Sequence, residues 1–251
     1  MTAAPFAAGY VLRQQPYRNT SLLVEIFTAE AGRIGLVARG VRRNHSRTRA
    51  LLEPFQPLLL QWRGRGELKT LAGVEEAGSR HEPTGRALFA GYYCNELVLR
   101  LLEREFVEPR AFSAYQQVMN QLSGEQVPEA ALRNFELDLL DALGYAPLLD
   151  RTADGAEAVE AGAMYDFTPE QGPLPAAAVP APGTVRVSGE QLLALAHRQL
   201  DDASALAGAR RVLRVALDSL LGGRPLKTRE MYRRIYGRTP AAKPGNPGAS
   251  S

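Results

Sequence analysis

The sequence predicts an α+β protein: a small β-barrel followed by a helical domain that carries an irregular insertion. Three observations predict it. The first eighty residues hold short segments rich in β-branched and aromatic residues, separated by glycine turns. Beyond Pro83 the apolar residues recur at helical spacing. Between 146 and 187 periodicity gives way to Ala, Gly and Pro. The expected organisation is a barrel over 1–80, a helical domain over 81–238 with its insertion at 146–187, and a tail over 239–251. That tail holds three prolines and no core-forming residue beyond alanine, and reads as disordered.

The barrel strands come first. Gly9 to Arg13 and Ser21 to Phe27 are strand-like runs bounded by turn formers. Ala29 to Arg33 is a hairpin loop, in which Gly32 is free to take a positive φ. Ile34 to Ala38 is the third strand. Pro57 to Trp62 and Leu68 to Ala72 follow, joined by the glycine turn Arg63-Gly-Arg-Gly-Glu67. About five strands, close in sequence and with no long helix among them, predict a small barrel.

The helices come next. Phe89, Tyr93, Leu97 and Leu101 recur every four residues, in a helix expected from about Thr84 to Glu105. Phe112, Tyr115, Val118, Met119 and Leu122 mark a second helix. A third opens in the first turn on Pro128 and stops at Gly144. In the insertion, Met164 to Phe167 and Thr184 to Val187 read as two short strands and the rest as loop. Ser188 and Gln191 then fit a capping box. Helices follow over about 204–221, ended by Gly222-Gly223, and over 227–236.

A chain of 251 residues with 45% hydrophobic and 23% charged residues has the composition of a soluble globular protein. No apolar run approaches the roughly 20 residues that span a bilayer, and no basic segment precedes an apolar one at the N-terminus, so neither a membrane span nor a secretory signal is expected. A single cysteine, Cys94, excludes an intramolecular disulfide and four-cysteine zinc, and a reducing cytoplasm is the expected setting. Charge is segregated along the chain. Residues 1–80 hold 12 basic against 6 acidic residues, 81–187 hold 7 against 16, and 188–251 hold 11 against 5. Basic surfaces at both ends and an acidic middle follow, although solvated acidic helix faces give the same count.

The chemistry of an enzyme is missing. His45, His81 and His197 are isolated, and neither a His-Glu-x-x-His nor a Gly-x-Ser-x-Gly motif occurs. The segment Gly223 to Thr228 resembles the end of a phosphate-binding P-loop, but Leu226 stands where a glycine must precede the lysine. Cys94 lies beside the apolar stripe of its helix and reads as packed rather than nucleophilic. No catalytic residue, cofactor or metal is expected.

What remains is cationic. Arg39 to Arg49 places five arginines in eleven residues with no acid among them, between two strands. Arginine forks match phosphate oxygens and stack on unpaired bases, so this run suits a polyanion. A solvated basic loop guarding a sheet edge has the same composition. The candidate cations for such a polyanion are Arg33, Arg39, Arg42, Arg43, Arg47, Arg49, Arg63, Arg65 and Lys69, with Tyr17 and Trp62 as candidate stacking groups. Trp62, at the end of an apolar strand, fits the core better. A second basic cluster comprises Arg210, Arg211, Arg214, Lys227 and Arg229, with Arg224, Arg233 and Arg234 beside them. The competing reading is a protein-interaction adaptor whose basic faces bind acidic partners.

Ordered motifs carry a resemblance across nearly the whole chain. They are Tyr17-Arg-Asn-Thr-Ser-Leu-Leu-Val-Glu-Ile-Phe-Thr28, Gly32-Arg-Ile-Gly-Leu-Val-Ala-Arg-Gly-Val41, Leu52-Glu-Pro-Phe-Gln-Pro-Leu58-Leu-Leu60, Gly66-Glu-Leu-Lys-Thr-Leu71, Tyr92-Tyr-Cys-Asn-Glu-Leu97, Arg133-Asn-Phe-Glu-Leu137, Leu143-Gly-Tyr145 and Leu226-Lys-Thr-Arg-Glu-Met231. In this succession the chain resembles the RecO family of bacterial DNA repair proteins. The resemblance implies an N-terminal OB-fold and a helical C-terminal domain. It implies a non-enzymatic recombination mediator that binds single- and double-stranded DNA and anneals complementary strands. It implies partners too: RecR, and the C-terminal tail of single-stranded-DNA-binding protein, with a functional link to RecA loading. Some members hold zinc through four cysteines in the insertion; this chain has none there. An acidic tail ending in an aromatic residue needs an apolar pocket with a cationic rim. The candidates are Phe112, Tyr115, Phe135 and Leu139 for the walls and Arg133 or the Lys227–Arg229 pair for the rim. These aromatics have the helical spacing of interhelical core as well.

Overall fold

The computed structural model describes residues 5–42, 47–153, 155 and 157–237. Five strands, β1 (Ala7–Tyr17), β2 (Ser21–Thr28), β3 (Gly32–Ala38), β4 (Leu58–Arg63) and β5 (Leu68–Glu76), close a barrel in the order β1-β2-β3-β5-β4. All neighbours are antiparallel except β3 and β5, which run parallel. With a helix, α1 (Arg47–Leu51), between β3 and β4, this is an OB-like barrel. Its interior is built by strand alternation. Val11, Val24, Ile26, Ile34, Leu36, Leu58 and Leu60 point inward and are buried, and Trp62 joins them. Gly32 adopts φ +63 in the hairpin, as its position predicts.

The helical region comprises α2 (Gly85–Leu101), α3 (Pro109–Gln121), α4 (Glu129–Ala142), α5 (Gly189–Ala196), α6 (Ala203–Leu220) and α7 (Lys227–Tyr236). Sequence signals set most of their ends. Ser188 and Gln191 form the reciprocal capping box of α5, and Asp202 accepts the Ala205 N–H at the start of α6. Gly144, Gly222 and Gly223 take positive φ beyond helix ends. The start of α7 is capped from another helix. The Glu96 carboxylate on α2 accepts the N–H groups of Lys227 (2.8 Å) and Thr228 (2.9 Å) and the Thr228 hydroxyl (2.7 Å). The Leu-Lys-Thr segment that resembles part of a P-loop is this cap.

The barrel and the helices share one core. Tyr10 and Phe27 face outward from β1 and β2, yet both are buried. Tyr10 packs edge-on against Tyr115 at 5.4 Å, and Phe27 against Phe112 at 5.3 Å and Tyr115 at 5.7 Å. Asn95 on α2 donates to the Leu12 carbonyl (3.0 Å) and accepts from the Tyr115 hydroxyl (2.7 Å), which satisfies three polar groups inside this contact.

Several expectations need correction. The arginine run is not wholly a loop, since Arg47–Leu51 are helical. The α2 helix stops at Leu101 rather than Glu105, because the following residues leave the helix axis to run beside β3. There Arg104 bridges Arg33, and the Glu105 N–H donates to the Arg33 carbonyl at 2.9 Å. A Cβ on Gly32 would overlap the Phe106 carbonyl, so glycine is needed there for close approach as well as for φ. The insertion carries one more strand than its composition indicates. Its sheet, β7-β6-β8, consists of β6 (Met164–Thr168), β7 (Gly172–Pro175) and β8 (Val185–Ser188). The short, proline-bearing β7 lacks any strand signature, and it forms because β6 offers an edge to it. The 239–251 tail, like Arg43 and His45 in the arginine run, lies outside the described residues.

Two outcomes test this architecture. Phe112→Ala should cost about 3–5 kcal/mol in chemical denaturation, and the barrel and helices should unfold in one transition because the aromatic contact belongs to both. In the insertion, Asp166 accepts from Arg186 Nε (2.9 Å) and Nη2 (3.0 Å) and from the Ala177 N–H (3.0 Å). The Arg186 hydrogen bonds hold its carboxyl below the ordinary 3.8. A depressed folded pKa gives stability that is present above 3.8 and is lost as pH falls through the folded value. Asp166→Asn should therefore lower the denaturation midpoint at neutral pH and flatten its decline on acidification.

Candidate nucleic-acid interface

Covering one part of the barrel defines the part left open. Pairing registers give a continuous outward row across all five strands. Gln15 faces Leu23, Leu23 faces Val37, Val37 faces Thr70, and Thr70 faces Arg63. Leu23, Val37 and Thr70 are half-buried, while Gln15 and Arg63 are exposed at the ends. Exposed cations border this band: Arg13 and Arg18 from β1 and its turn, Arg39 and Arg42 after β3, and Arg65 in the β4–β5 loop. Arg42 donates to the carbonyls of Arg18 (3.2 Å) and Asn19 (3.5 Å), which ties the β3 exit to the β1–β2 turn. Tyr17 is half-buried with the Arg18 guanidinium 5.3 Å from its ring centroid. Shallow apolar rungs edged by arginine are what a single strand needs, with bases on the rungs and phosphates on the cations.

The structure separates the predicted cations into two groups. Arg39, Arg42, Arg47, Arg49, Arg63 and Arg65 are exposed. Arg33 and Lys69 have internal partners. Arg33 Nη1 lies 3.3 Å from the buried Glu25 carboxylate and its Nε donates to the Leu102 carbonyl at 3.1 Å. Burial lowers the Arg33 pKa against the pull of Glu25, and Arg104 and Arg13 lower it further. Lys69 is buried and ion-paired with Glu105. Trp62 is inside the barrel and unavailable for stacking. Arg13 and Arg18 were not among the expected contacts. Their signal was weak: two lone charges in a polar strand end, with meaning only once the register is known.

The expected walls of the tail pocket are elsewhere. Phe112, Tyr115, Phe135 and Leu139 are buried, in the contact with the barrel and in the core behind it. Their apolar faces are satisfied internally, so they offer no surface to a ligand. A groove of about 360 Å³ lies instead between α2, α4, α6 and α7. Phe89, Ala90, Leu132 and Tyr232 form its apolar floor. Arg86, Arg133, Arg210, Arg214, Arg229 and Arg233 surround it, with Glu129 as its acid. Three of the five members of the second basic cluster, Arg210, Arg214 and Arg229, therefore meet at this groove. Arg211 turns away to Gln191 on α5 (2.8 Å), and Lys227 is exposed at the start of α7. Under the floor, the Tyr93 hydroxyl donates to Glu136 (2.6 Å), and Arg133 pairs with the same carboxylate (2.9 Å). Burial raises the Glu136 pKa against the opposing pull of Arg133. Cys94 is buried behind it, its thiol pushed well up by burial. Among the described residues there is no group of three or more His, Cys, Asp or Glu arranged to hold a metal ion.

Two family models cover almost all of these elements. Recombination protein O N terminal matches residues 6–80, and Recombination protein O C terminal matches residues 83–230. The chain belongs to the RecO family. It is 47% identical over 240 residues to the DNA repair protein RecO of Alkalilimnicola ehrlichii, which covers 95% of this chain and 94% of the relative. It is 44% identical over 226 residues to that of Nitrosococcus oceani, at 90% and 92% coverage. A third RecO, from Thiobacillus denitrificans, is 40% identical over 237 residues, at 91% of both chains. The RecO motifs read from the sequence thus run through the barrel strands, the α2 face that caps α7, and α4 beneath the groove. No helix among the described residues is long and apolar enough to cross a membrane.

Proposed function

We propose that this chain is a non-enzymatic recombination mediator in DNA repair, acting in the cytoplasm. In this reading it binds single- and double-stranded DNA on the open face of its barrel and anneals complementary strands. With RecR it helps load RecA onto DNA coated by single-stranded-DNA-binding protein. The observation that carries the reading is the outward row Gln15–Leu23–Val37–Thr70–Arg63 with arginines along its borders. Annealing makes and breaks no covalent bond. It requires that two polyanions be screened from each other while their bases stay accessible, and a cationic face with shallow apolar rungs meets both needs. The names of its RecO relatives support the repair role. Contacts to phosphate and base faces leave sequence unread, so binding should be nearly sequence-independent.

Each phosphate contact to a single strand contributes roughly 0.7 to the slope of log K against log salt. Replacing Arg39, Arg42, Arg63 and Arg65 by alanine in the full chain should flatten that slope by about 2–3. Fluorescence anisotropy with an oligothymidine measures it, and an unchanged slope would remove the barrel face from the DNA path.

The groove supports a second element of the reading. An apolar floor ringed by arginines fits the acidic, aromatic-ended tail of single-stranded-DNA-binding protein, and it takes over the role first expected of Phe112 and its neighbours. Arg86 and Arg233 line it without an ion pair among the described residues, so replacing them leaves the internal pairs intact. Arg86→Ala with Arg233→Ala should weaken binding of an acidic peptide ending in Phe by at least tenfold, with the DNA salt slope unchanged. Peptide affinity equal to that of the unaltered chain would place the tail elsewhere.

A further inference from the structure

We infer that Arg104, from the segment after α2, joins Arg13 of β1 in a phosphate clamp on the barrel face. This inference rests on the reading of that face as a DNA surface and extends it to a residue outside the barrel.

Register and approach fix the location. Arg13 faces Glu25, Glu25 faces Gly35, and Gly35 faces Leu68. This row lies two residues along each strand from Gln15–Leu23–Val37–Thr70, about 6.6 Å away, and alternation puts both rows on the outer side. Arg104 lies over this second row. Its Nη2 is 3.3 Å from where a Cβ on Gly35 would sit, and Leu68 Cδ2 is 3.0 Å from the same point. Gly35 does not have a positive φ, so its backbone conformation does not call for glycine. The missing side chain is what lets the Arg104 guanidinium lie on the sheet.

Charge then indicates the ligand. One carboxylate, Glu25, faces three arginines: Arg33 and Arg104, which pair with it, and Arg13, which stands opposite in the register. Two positive charges are left over. Arg33 is largely enclosed, but the Arg104 side chain keeps 36% of its exposure. Arg13 is exposed and makes no ion pair among the described residues. A guanidinium has five N–H donors in a fixed fork, so Arg104 can hold Glu25 with one edge and present another to an anion. An interdomain staple needs only one arginine on Glu25, and Lys69–Glu105 already provides a second tie. The surplus cations, both set beside Glu25 in the row next to the apolar band, match the backbone of a strand whose bases lie on Leu23 and Val37.

The test uses the full chain and an oligothymidine. Arg13→Ala and Arg104→Ala should each weaken binding about three- to tenfold at low salt and flatten the salt slope by about 0.7. Arg104→Lys should keep the slope. A purely structural role for Arg104 predicts a lower melting temperature with the slope unchanged, and that result would overturn the clamp. Arg13→Ala removes no ion pair, so its slope decides the matter even where Arg104→Ala is poorly folded. If the quadruple variant above flattens the slope and these two do not, the clamp is wrong and the barrel face stands. If none of them does, both readings fall.

Discussion

The contact of Tyr10 and Phe27 with Phe112 and Tyr115 organises the rest of the molecule. A barrel this small buries one side of each strand inside itself, and its outer side normally faces water. Here β1 and β2 put large aromatics on that outer side, and α2 and α3 must cover them. Within this largely apolar contact, the Asn95 amide donates to the Leu12 carbonyl and its carbonyl accepts from the Tyr115 hydroxyl. With that part of the wall closed, the band from Gln15 to Arg63 stays on the open side of the barrel. The place proposed for DNA on the barrel thus follows from where the helices sit.

The second constraint is the segment between α2 and α3. β5 meets β3 only from Gly35 onward, which leaves the start of β3 without a neighbour on that side. Arg104 and Glu105 run along this gap, and Glu105 reaches back to Lys69 on β5. The barrel is therefore completed by residues of the helical region. A break between residues 80 and 81 would follow the sequence motifs but would cut the polar closure of the β3–β5 edge, as well as the aromatic core.

Much of the fold was legible because it rests on local rules. The β-branched and aromatic run Ser21–Phe27, the hairpin glycine at 32, the capping box at Ser188 and the glycine stops each act within a few residues. The site was less legible because it depends on what strand pairing brings together. Arg33 and Arg39 look alike in sequence. In the fold Arg33 lies on β3 close to Glu25 of the adjacent strand, whereas Arg39 lies just past the end of β3 and faces solvent. Phe112 and Phe89 have the same helical spacing, yet the first is covered by the barrel and the second floors an open groove. β7 and the helical turn at Arg47 have no composition that marks them, and Arg104, the proposed clamp residue, lies in the acidic third of the chain, where a contact to an anion is least expected.

The segregated charge takes on a meaning that solvated helix faces would not have supplied. Several acids of the middle segment reach the basic ends of the chain. Glu105 pairs with Lys69, Asp138 with Arg198, and Glu129 with Arg210, while Glu96 caps the basic helix α7. Arg33 is neutralised within the barrel by Glu25. These pairings neutralise several cations at the seams between elements and leave others without an ion pair among the described residues. On the barrel these are Arg13, Arg39, Arg63 and Arg65, at the borders of one apolar band; around the groove they are Arg86 and Arg233. A net charge of only +3 is therefore compatible with strong local fields, because several of the compensating acids are set into the seams between elements.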